Sequence, residues 1–262
     1  MTLGRKVVDY HVHSTHSADG RSSILEMCSR AVELGIAEIG FAEHMDFDPM
    51  DQGFGYFDYD RYSSDVETAR RLFRRRLVIR KGVEIDYQRR FEGEIREWIQ
   101  GKRFDFVIGS VHYLGHEYIC ERLLMNSDLE RIYRAYFAEV TKSIESGLFD
   151  VVGHLDIVRK SYDGKGLGPD DSVYQDGMRT VLEKTAENNL YLEINSKLSV
   201  LREGCTDTMP SKKAVEEYVE KGGRLVSVGS DAHSTGELGS GLDEILDFLA
   251  NYSENQVKML FG

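Results

Sequence analysis

Short runs of β-forming residues alternate with longer amphipathic stretches along the whole of this 262-residue chain, and this alternation strongly limits the folds available to it. Seven runs are predicted as strands, at residues 5–11, 37–43, 77–85, 104–111, 149–153, 190–195 and 224–230. Helical patterns lie between them near residues 22–34, 60–76, 90–101, 127–147, 171–188 and 211–222, with one or two more after 241. The alternation indicates an α/β protein with a parallel sheet, either doubly wound or closed as a barrel.

The first predicted helix carries both a start and a stop signal. Ser23 is a typical N-cap, Glu26 follows three residues later as in a capping box, and Gly35 is a typical C-terminal stop. Only three prolines occur in the chain, and no Pro-rich or Ser-rich linker interrupts the alternation. We therefore expect a single domain over residues 1–262.

The balance of charges limits the partners of the protein. Lysine and arginine number 33 against 45 aspartates and glutamates, which gives a net charge of −12 and a pI near 5.2. An acidic surface repels nucleic-acid phosphates, so a dedicated nucleic-acid binder, including a nuclease, is disfavoured. A small phosphorylated substrate is compatible with this charge because a local metal cluster overrides the global field.

Hydropathy and cysteine usage favour a cytoplasmic protein. No apolar run approaches the roughly 18 residues of a membrane span, and the first residues lack the apolar core of a signal peptide. The three cysteines, Cys28, Cys120 and Cys205, are far apart, so they offer neither a disulfide framework nor a CxxC metal pair. The oligomeric state is left open, and a homo-oligomer is compatible with the sequence.

Six of the eight histidines occupy one topological position, at or just after the end of a predicted strand. They are His11, His13, His44, His112, His154 and His233. Glu84 ends the third predicted strand, and Asp231 ends the seventh. The carboxyl ends of parallel strands face the same way, so these side chains should converge on one face. Imidazole and carboxylate together suit zinc, manganese or iron, and we predict a transition-metal site there.

The two remaining histidines fall inside loops on the same side of the predicted sheet. His16 competes with Asp19, in the same loop, for a role as a metal ligand, and it is otherwise a candidate for binding substrate. His116 is compatible with either a solvent-exposed or a substrate-facing position.

A long acidic and aromatic loop follows His44, at residues 45–62. Long loops on a catalytic face often form lids over a substrate. We expect this loop to cover the substrate, with Asp or Tyr groups that meet an organic cation. An ordinary packed loop is the alternative.

Six short motifs resemble those of a known family. They are HVHSTHSADG at 11–20, EH at 43–44, GVEID at 82–86, GSVH at 109–112, GHLD at 153–156 and SDAH at 230–233. In their order and spacing they resemble the polymerase-and-histidinol-phosphatase (PHP) family, over essentially the whole chain. The resemblance implies a distorted barrel of seven strands and helices, the TIM-like barrel of the PHP type, in agreement with the strand count above.

The resemblance also implies two to three divalent transition-metal ions, of zinc, manganese or iron. One ion would be bound by His11, His13, Glu84 and Asp231. A second would be bound by Glu84, His112 and His154. The third would be bound by Asp19, His44 and His233.

Two metal ions bridged by Glu84 would lie close together, and a water shared between them is deprotonated near neutral pH. The resulting hydroxide can attack phosphorus in line, so the natural substrate is a phosphate ester and the product inorganic phosphate. Glu84, Asp231 and His233 would hold this reacting centre. Arg159 would clamp two phosphate oxygens with its planar guanidinium.

Within the family, GHLDIVRK at 153–160, LEIN at 192–195 and a later Pro-Ser pair resemble the branch that cleaves L-histidinol phosphate in histidine biosynthesis. That branch implies a second basic phosphate contact after LEIN, where Lys197 and Arg202 both qualify. One alternative is a PHP phosphoesterase for another small phosphate ester or a nucleotide. The other is an amidohydrolase-type metal hydrolase, which would normally carry a lysine in place of His112.

Overall fold

A computed structural model describes residues 6–119, 128–158, 171–201 and 207–261. Its strands are β1 (Val7–Val12), β2 (Ile36–Met45), β3 (Val78–Asp86), β4 (Phe106–Ser110), β5 (Tyr113–Leu114), β6 (Glu117–Tyr118), β7 (Val151–Val152), β8 (Tyr191–Asn195), β9 (Leu225–Gly229) and β10 (Lys258–Met259). Eight of the described strands form one parallel sheet in the order β1-β2-β3-β4-β7-β8-β9-β10. All seven predicted strands are present, and they follow one another around this sheet.

The structure adds three short strands to the seven predicted. β5 and β6 pair as an antiparallel hairpin whose turn is made by Gly115 and His116. Gly115 has a φ of 69°, which a glycine adopts without strain in a tight hairpin turn. β10 pairs with the start of β9 over Lys258 and Met259. Two-residue strands are too short to show the alternation from which a strand is predicted.

The helices agree with the predicted pattern apart from one short addition. The described helices are α1 (Ile24–Leu34), α2 (Tyr59–Phe73), α3 (Glu92–Ile99), α4 (Leu129–Glu145), α5 (Ser172–Glu187), α6 (Lys197–Leu201), α7 (Lys212–Glu220) and α8 (Leu242–Leu249). The five-residue α6 was not predicted because one turn carries no helical period. None of the described helices combines the length and hydropathy needed to cross a membrane.

The ends of α1 form as the sequence indicates. The Ser23 hydroxyl accepts from the backbone N–H of Glu26, and the Glu26 side chain accepts from the backbone N–H of Ser23 at 2.7 Å. Gly35 ends the helix with a φ of 72°, in the left-handed region where glycine is favoured. The predicted capping box and stop are therefore confirmed.

The carboxyl ends of β1 and β9 meet and curl the sheet into a distorted barrel. A parallel bridge joins Val12 to Ala232. The His13 backbone N–H donates to the Ala232 carbonyl at 2.9 Å, and the Asp231 N–H donates to the His11 carbonyl at 2.8 Å. The chain therefore forms the barrel of the two predicted alternatives, and residues from its two ends in sequence become neighbours.

Helix α2 is fixed to the sheet by one buried tyrosine. The Tyr62 hydroxyl donates to the carbonyls of Phe41 at 3.1 Å and Gly82 at 2.8 Å, so it links β2 and β3. Inside the barrel the ring of Phe106 lies against Gly82, where an added Cβ would come within 2.3 Å of that ring. Glycine at this position lets the aromatic ring fill the core below the metal-type side chains.

Candidate metal centre

Strand geometry explains why the predicted ligands meet. Successive side chains of a strand point to opposite faces, so His11 and His13 at the end of β1 share one face. His44 of β2 lies opposite Glu84 of β3 in the parallel register. His154 comes shortly after β7, so it joins them at the carboxyl end of the barrel.

The Glu84 carboxylate lies at the centre of five imidazoles and is fully buried. Its Oε2 atom is 3.1 Å from His44 Nδ1, 3.2 Å from His11 Nε2 and 3.5 Å from His13 Nε2. Its Oε1 atom is 2.9 Å from His154 Nε2 and 3.5 Å from His112 Nε2. The two oxygens of one side chain therefore face two separate groups of histidines.

Asp231 and Asp19 complete the cluster on the side of β9. Asp231 Oδ1 is 3.3 Å from His13 Nε2 and 3.5 Å from His233 Nδ1. Asp231 has a φ of 54°, in the left-handed region that aspartate tolerates better than most residues. Asp19 Oδ2 is 3.0 Å from His233 Nε2 and 3.8 Å from His44 Nε2.

Unpaired buried atoms show that this cluster fits metal ions. His11 Nε2, His13 Nε2 and Glu84 Oε2 are all buried, and none has a hydrogen-bond partner in the described part of the chain. Buried polar atoms without a partner are costly, and imidazole nitrogens with carboxylate oxygens are the ligands of zinc, manganese and iron. Three sets of donor atoms lie close enough to share an ion. They are His11, Glu84 and His154; His11, His13 and Asp231; and His13, His44 and His233.

Two further buried carboxylates, inside the EH and LEIN motifs, orient the histidines, although neither glutamate was predicted to have a role. Glu193 Oε1 lies 2.5 Å from His11 Nδ1, and Glu193 Oε2 accepts from the backbone N–H of His154. Glu43 accepts from the Ser17 hydroxyl at 2.7 Å, and the same hydroxyl lies 3.2 Å from His13 Nδ1. Because Glu193 and the Ser17 hydroxyl lie against Nδ1 of the two rings, Nε2 of each ring is left to face the centre. The signal was an acidic residue inside an apolar strand, as in LEIN.

The charges of the cluster shift the pKa values of its members in opposite directions. Burial disfavours protonation of His11, but the carboxylates of Glu193 and Glu84 outweigh it and hold the His11 pKa well above its usual value. Burial also disfavours the charged form of Glu84, yet the surrounding histidines hold the pKa of this carboxyl well below its usual value. Burial and the neighbouring His233 and His44 hold the pKa of His13 well below its usual value. The low pKa values favour the ionised carboxylate of Glu84 and the neutral imidazole of His13, the forms in which both groups bind a metal ion.

A cavity of about 970 Å³ opens above the cluster. Its lining includes His44, His112, His154, Asp231 and His233. Lys197 also lines it, with Nζ 2.5 Å from the Asp231 carbonyl oxygen and 3.0 Å from Glu237 Oε2. The lysine predicted to bind substrate thus also holds the turn that carries two of the predicted ligands.

His16 lies apart from this cavity. Its Nε2 is 3.0 Å from Asp65 Oδ2, and its ring packs edge-on against Tyr62. His16 is not among the residues that line the cavity in the described part of the chain, and its role in binding substrate stays a prediction. Asp19, its competitor for metal, is the residue of this loop that faces His44 and His233.

His116 and the loop after β2 lie at the rim of the cavity. The His116 ring contacts Arg90 and lies 3.0 Å from Asp48 Oδ2. Asp48 also pairs with Arg90 at 2.5 Å, so this network ties the loop to the β5–β6 hairpin. Met50 and Gly53 of the same loop line the cavity, in agreement with a loop that covers it. Arg159 and Arg202, the other predicted phosphate contacts, lie outside the described residues.

Together, the barrel and its buried donor cluster define a protein built around divalent metal ions. The family model described as "PHP domain" matches residues 9–197. The chain is 30% identical over 243 residues, 88% of each chain, to a Deinococcus radiodurans protein named "Probable histidinol-phosphatase". It is 27% identical to the histidinol-phosphatase of Lactococcus lactis, over 87% of this chain and 84% of that one.

A solved structure has the same fold. The histidinol phosphate phosphatase of Lactococcus lactis, solved with zinc, L-histidinol and phosphate, superposes with a TM-score of 0.85 and 23% sequence identity. The match covers 97% of this chain and 95% of that one. With a family model that matches most of its length, the chain belongs to the PHP domain family, as the six motifs indicated.

Proposed function

We propose that this protein is a metal-dependent phosphomonoesterase that hydrolyses L-histidinol phosphate to L-histidinol and inorganic phosphate. The observation that carries the proposal is the fully buried Glu84 carboxylate, which divides its two oxygens between two groups of histidines. The names of the relatives in Deinococcus radiodurans and Lactococcus lactis support the choice of substrate.

The proposal assigns two to three ions of zinc, manganese or iron to the centre. One set of ligands is His11, His13, Glu84 and Asp231, with Glu84 shared by a second set. The second set is Glu84, His112 and His154, and the third is Asp19, His44 and His233. When bound, such ions activate water as a nucleophile and stabilise negative charge on phosphoryl oxygens.

The protein's own groups prepare the site for this chemistry. Glu193 holds the His11 ring directly, and Glu43 holds the His13 ring through the Ser17 hydroxyl, so that Nε2 of each ring faces the centre. Lys197 holds the carbonyl of Asp231 and so keeps the turn at the end of β9 in place. Ser110 donates its hydroxyl to Glu84 Oε1 at 2.5 Å and orients the central carboxylate. A phosphoryl group bound at the metal centre would be held by Arg159, with Lys197 or Arg202 as the second cation.

The depth of the cluster suits a small substrate. Glu84 and His13 are fully buried below a cavity of about 970 Å³, a size that suits a small phosphate ester. The net charge of −12 also opposes nucleic acid. The same assignment makes inorganic phosphate a product that binds the site, and it is consistent with a cytoplasmic biosynthetic enzyme.

A panel of substrates tests the proposal. Purified protein supplied with manganese or zinc is offered L-histidinol phosphate, p-nitrophenyl phosphate, a nucleoside monophosphate and an acylated amine, and release of phosphate or of the acyl group is measured. We expect the highest kcat/KM with L-histidinol phosphate. A preference for the nucleotide or another ester would overturn the substrate, and cleavage of the acylated amine alone would overturn the reaction class.

A further inference from the structure

Asp46 lies two residues after His44, just beyond the end of β2, and lines the cavity above the metal centre. It directly follows β2, and side chains two residues apart on a strand share a face, so Asp46 projects on the same side as His44. Asp86 takes the corresponding place on β3, two residues after Glu84. Two residues of a strand span about 7 Å, so these carboxylates form a second layer above the ligands.

The Asp46 carboxylate is buried without a partner. Its side chain is 8% exposed and lines the cavity, yet no described residue donates a hydrogen bond to it or pairs with it as a cation. Burial disfavours the charged form of this carboxylate, and a cation that reaches it from the cavity would offset that cost. The cavity is the open side from which such a group can come.

The surroundings of Asp46 are negative. The titratable groups around it are the carboxylates of Asp51, Asp86 and Glu84 and the imidazole of His112. Two other carboxylates near the centre are already engaged by backbone donors: Asp51 accepts from Gly53 N at 2.6 Å, and Asp86 accepts from His112 N at 2.7 Å. Asp46, by contrast, accepts no hydrogen bond from a described residue.

Among the described residues, the cationic side chains that line the cavity do not pair with Asp46. Arg21 and Lys197 both line the cavity, and both pair with Glu237, which follows β9. Both cations are therefore engaged by Glu237, and neither is paired with Asp46. A positively charged group of a substrate would supply that partner.

The loop backbone lies against the Asp46 carboxylate. An added Cβ at Gly53 would come within 2.2 Å of Asp46 Oδ2, so the loop backbone packs directly against this oxygen. Only glycine permits that approach, because any larger residue at position 53 displaces the carboxylate. Gly53 therefore limits the space open to the Asp46 carboxylate on the side of the loop.

We propose that Asp46 binds a positively charged nitrogen on the alcohol part of the phosphate-ester substrate. The inference rests on the proposed phosphatase function. The phosphoryl group of the substrate would lie at the metal centre, and its cationic group would lie about 7 Å further along the strand direction, towards the mouth of the cavity. It identifies the substrate class as phosphate monoesters that carry an ammonium or imidazolium group. Of the acidic and aromatic residues in the loop at 45–62 that were expected to meet an organic cation, it selects Asp46.

The test compares a cationic ester with a neutral ester of similar length. Asp46→Asn keeps the shape of the side chain and removes its charge, while Asp60→Asn changes an exposed carboxylate of α2 as the matched control. For Asp46→Asn we expect KM for L-histidinol phosphate to rise about tenfold or more, with 3-phenylpropyl phosphate changed by less than about threefold. Gly53→Ala should produce the same selective effect at unchanged charge. Metal content, measured by elemental analysis, should stay at the wild-type value.

Equal changes for both esters, or no change for either, would overturn the role of Asp46. A binding measurement separates this outcome from failure of the proposed function. L-histidinol is titrated into the metal-loaded protein by calorimetry, without any turnover. A Kd raised about tenfold in Asp46→Asn supports the cation site, and an unchanged Kd overturns it. Wild-type protein that releases phosphate from neither ester overturns the proposed function alone.

Discussion

The Nε2 atoms of His112 and His154 lie 3.1 Å apart, and both face the same oxygen of Glu84. Two imidazole nitrogens directed at one carboxylate oxygen form three donors around one point, which is the arrangement that a cation requires. The other oxygen of Glu84 faces His11, His13 and His44. Glu84 is thereby the residue that joins two donor groups into one centre.

Glu84→Gln should have the largest effect of any single change at the centre. The amide keeps the size of the side chain but removes the negative charge that faces two donor groups, so we expect kcat to fall at least about a hundredfold. Glu94→Gln, on the exposed face of α3, is the matched control. Steady-state kinetics at saturating manganese check this, and near-normal turnover would refute the bridging role.

Glu193→Gln should weaken metal binding without touching a ligand. The Glu193 carboxylate accepts from the His11 ring and the His154 backbone, so the amide should leave His11 less well oriented. We expect the affinity for metal to fall by about ten- to a hundredfold, with activity recovered at high metal concentration. Competition with a chromogenic chelator measures the affinity, with Glu216→Gln on α7 as the control. Unchanged affinity would show that Glu193 only packs.

Tyr62→Phe should lower stability and leave the centre intact. The lost hydroxyl bonds two carbonyls of neighbouring strands in a fully buried position, so the free energy of unfolding should fall by about 1–3 kcal/mol. Urea denaturation measures the change against Tyr252→Phe, which alters a partly exposed tyrosine near the C-terminus. A loss no greater than in that control would contradict the role of the hydroxyl.

Arg159→Ala should impair recognition of the phosphoryl group. Loss of a charge-assisted bidentate contact costs about 2–4 kcal/mol, so kcat/KM should fall roughly thirty- to a thousandfold at unchanged metal content. Arg159→Lys should recover part of the loss, because it keeps the charge without the planar fork. Intact kinetics with a lower melting temperature would make Arg159 a structural residue and direct attention to Lys197 or Arg202.

The fold and most of the centre could be predicted because both follow from the regular alternation of strands and helices along the chain. Strand ends recur along the chain, and a parallel barrel places them at one end. His11 and His233, which are far apart in sequence, could therefore be predicted to lie in one site. Glu43 and Glu193 could not be predicted in the same way. A lone acid within an apolar strand does not reveal which buried ring it binds.

Contacts that depend on loop conformation were the least predictable. His16 has the same chemistry as the ligands, but its pairing with Asp65 on α2 depends on how the helix packs over the loop. Lys197 follows a strand, as a phosphate contact would, and only the structure shows its bond to the Asp231 carbonyl. Long side chains reach several partners from one backbone position, so the sequence alone does not select among them.

Metal content measured together with phosphate release tests the central claim most directly. Protein purified without chelator is analysed for metal, stripped, and then titrated with manganese or zinc while hydrolysis of L-histidinol phosphate is followed. We expect two to three equivalents of metal per chain, loss of activity on stripping, and its recovery as those equivalents return. Less than one equivalent of bound metal, with no activity recovered on adding manganese or zinc, would contradict the account.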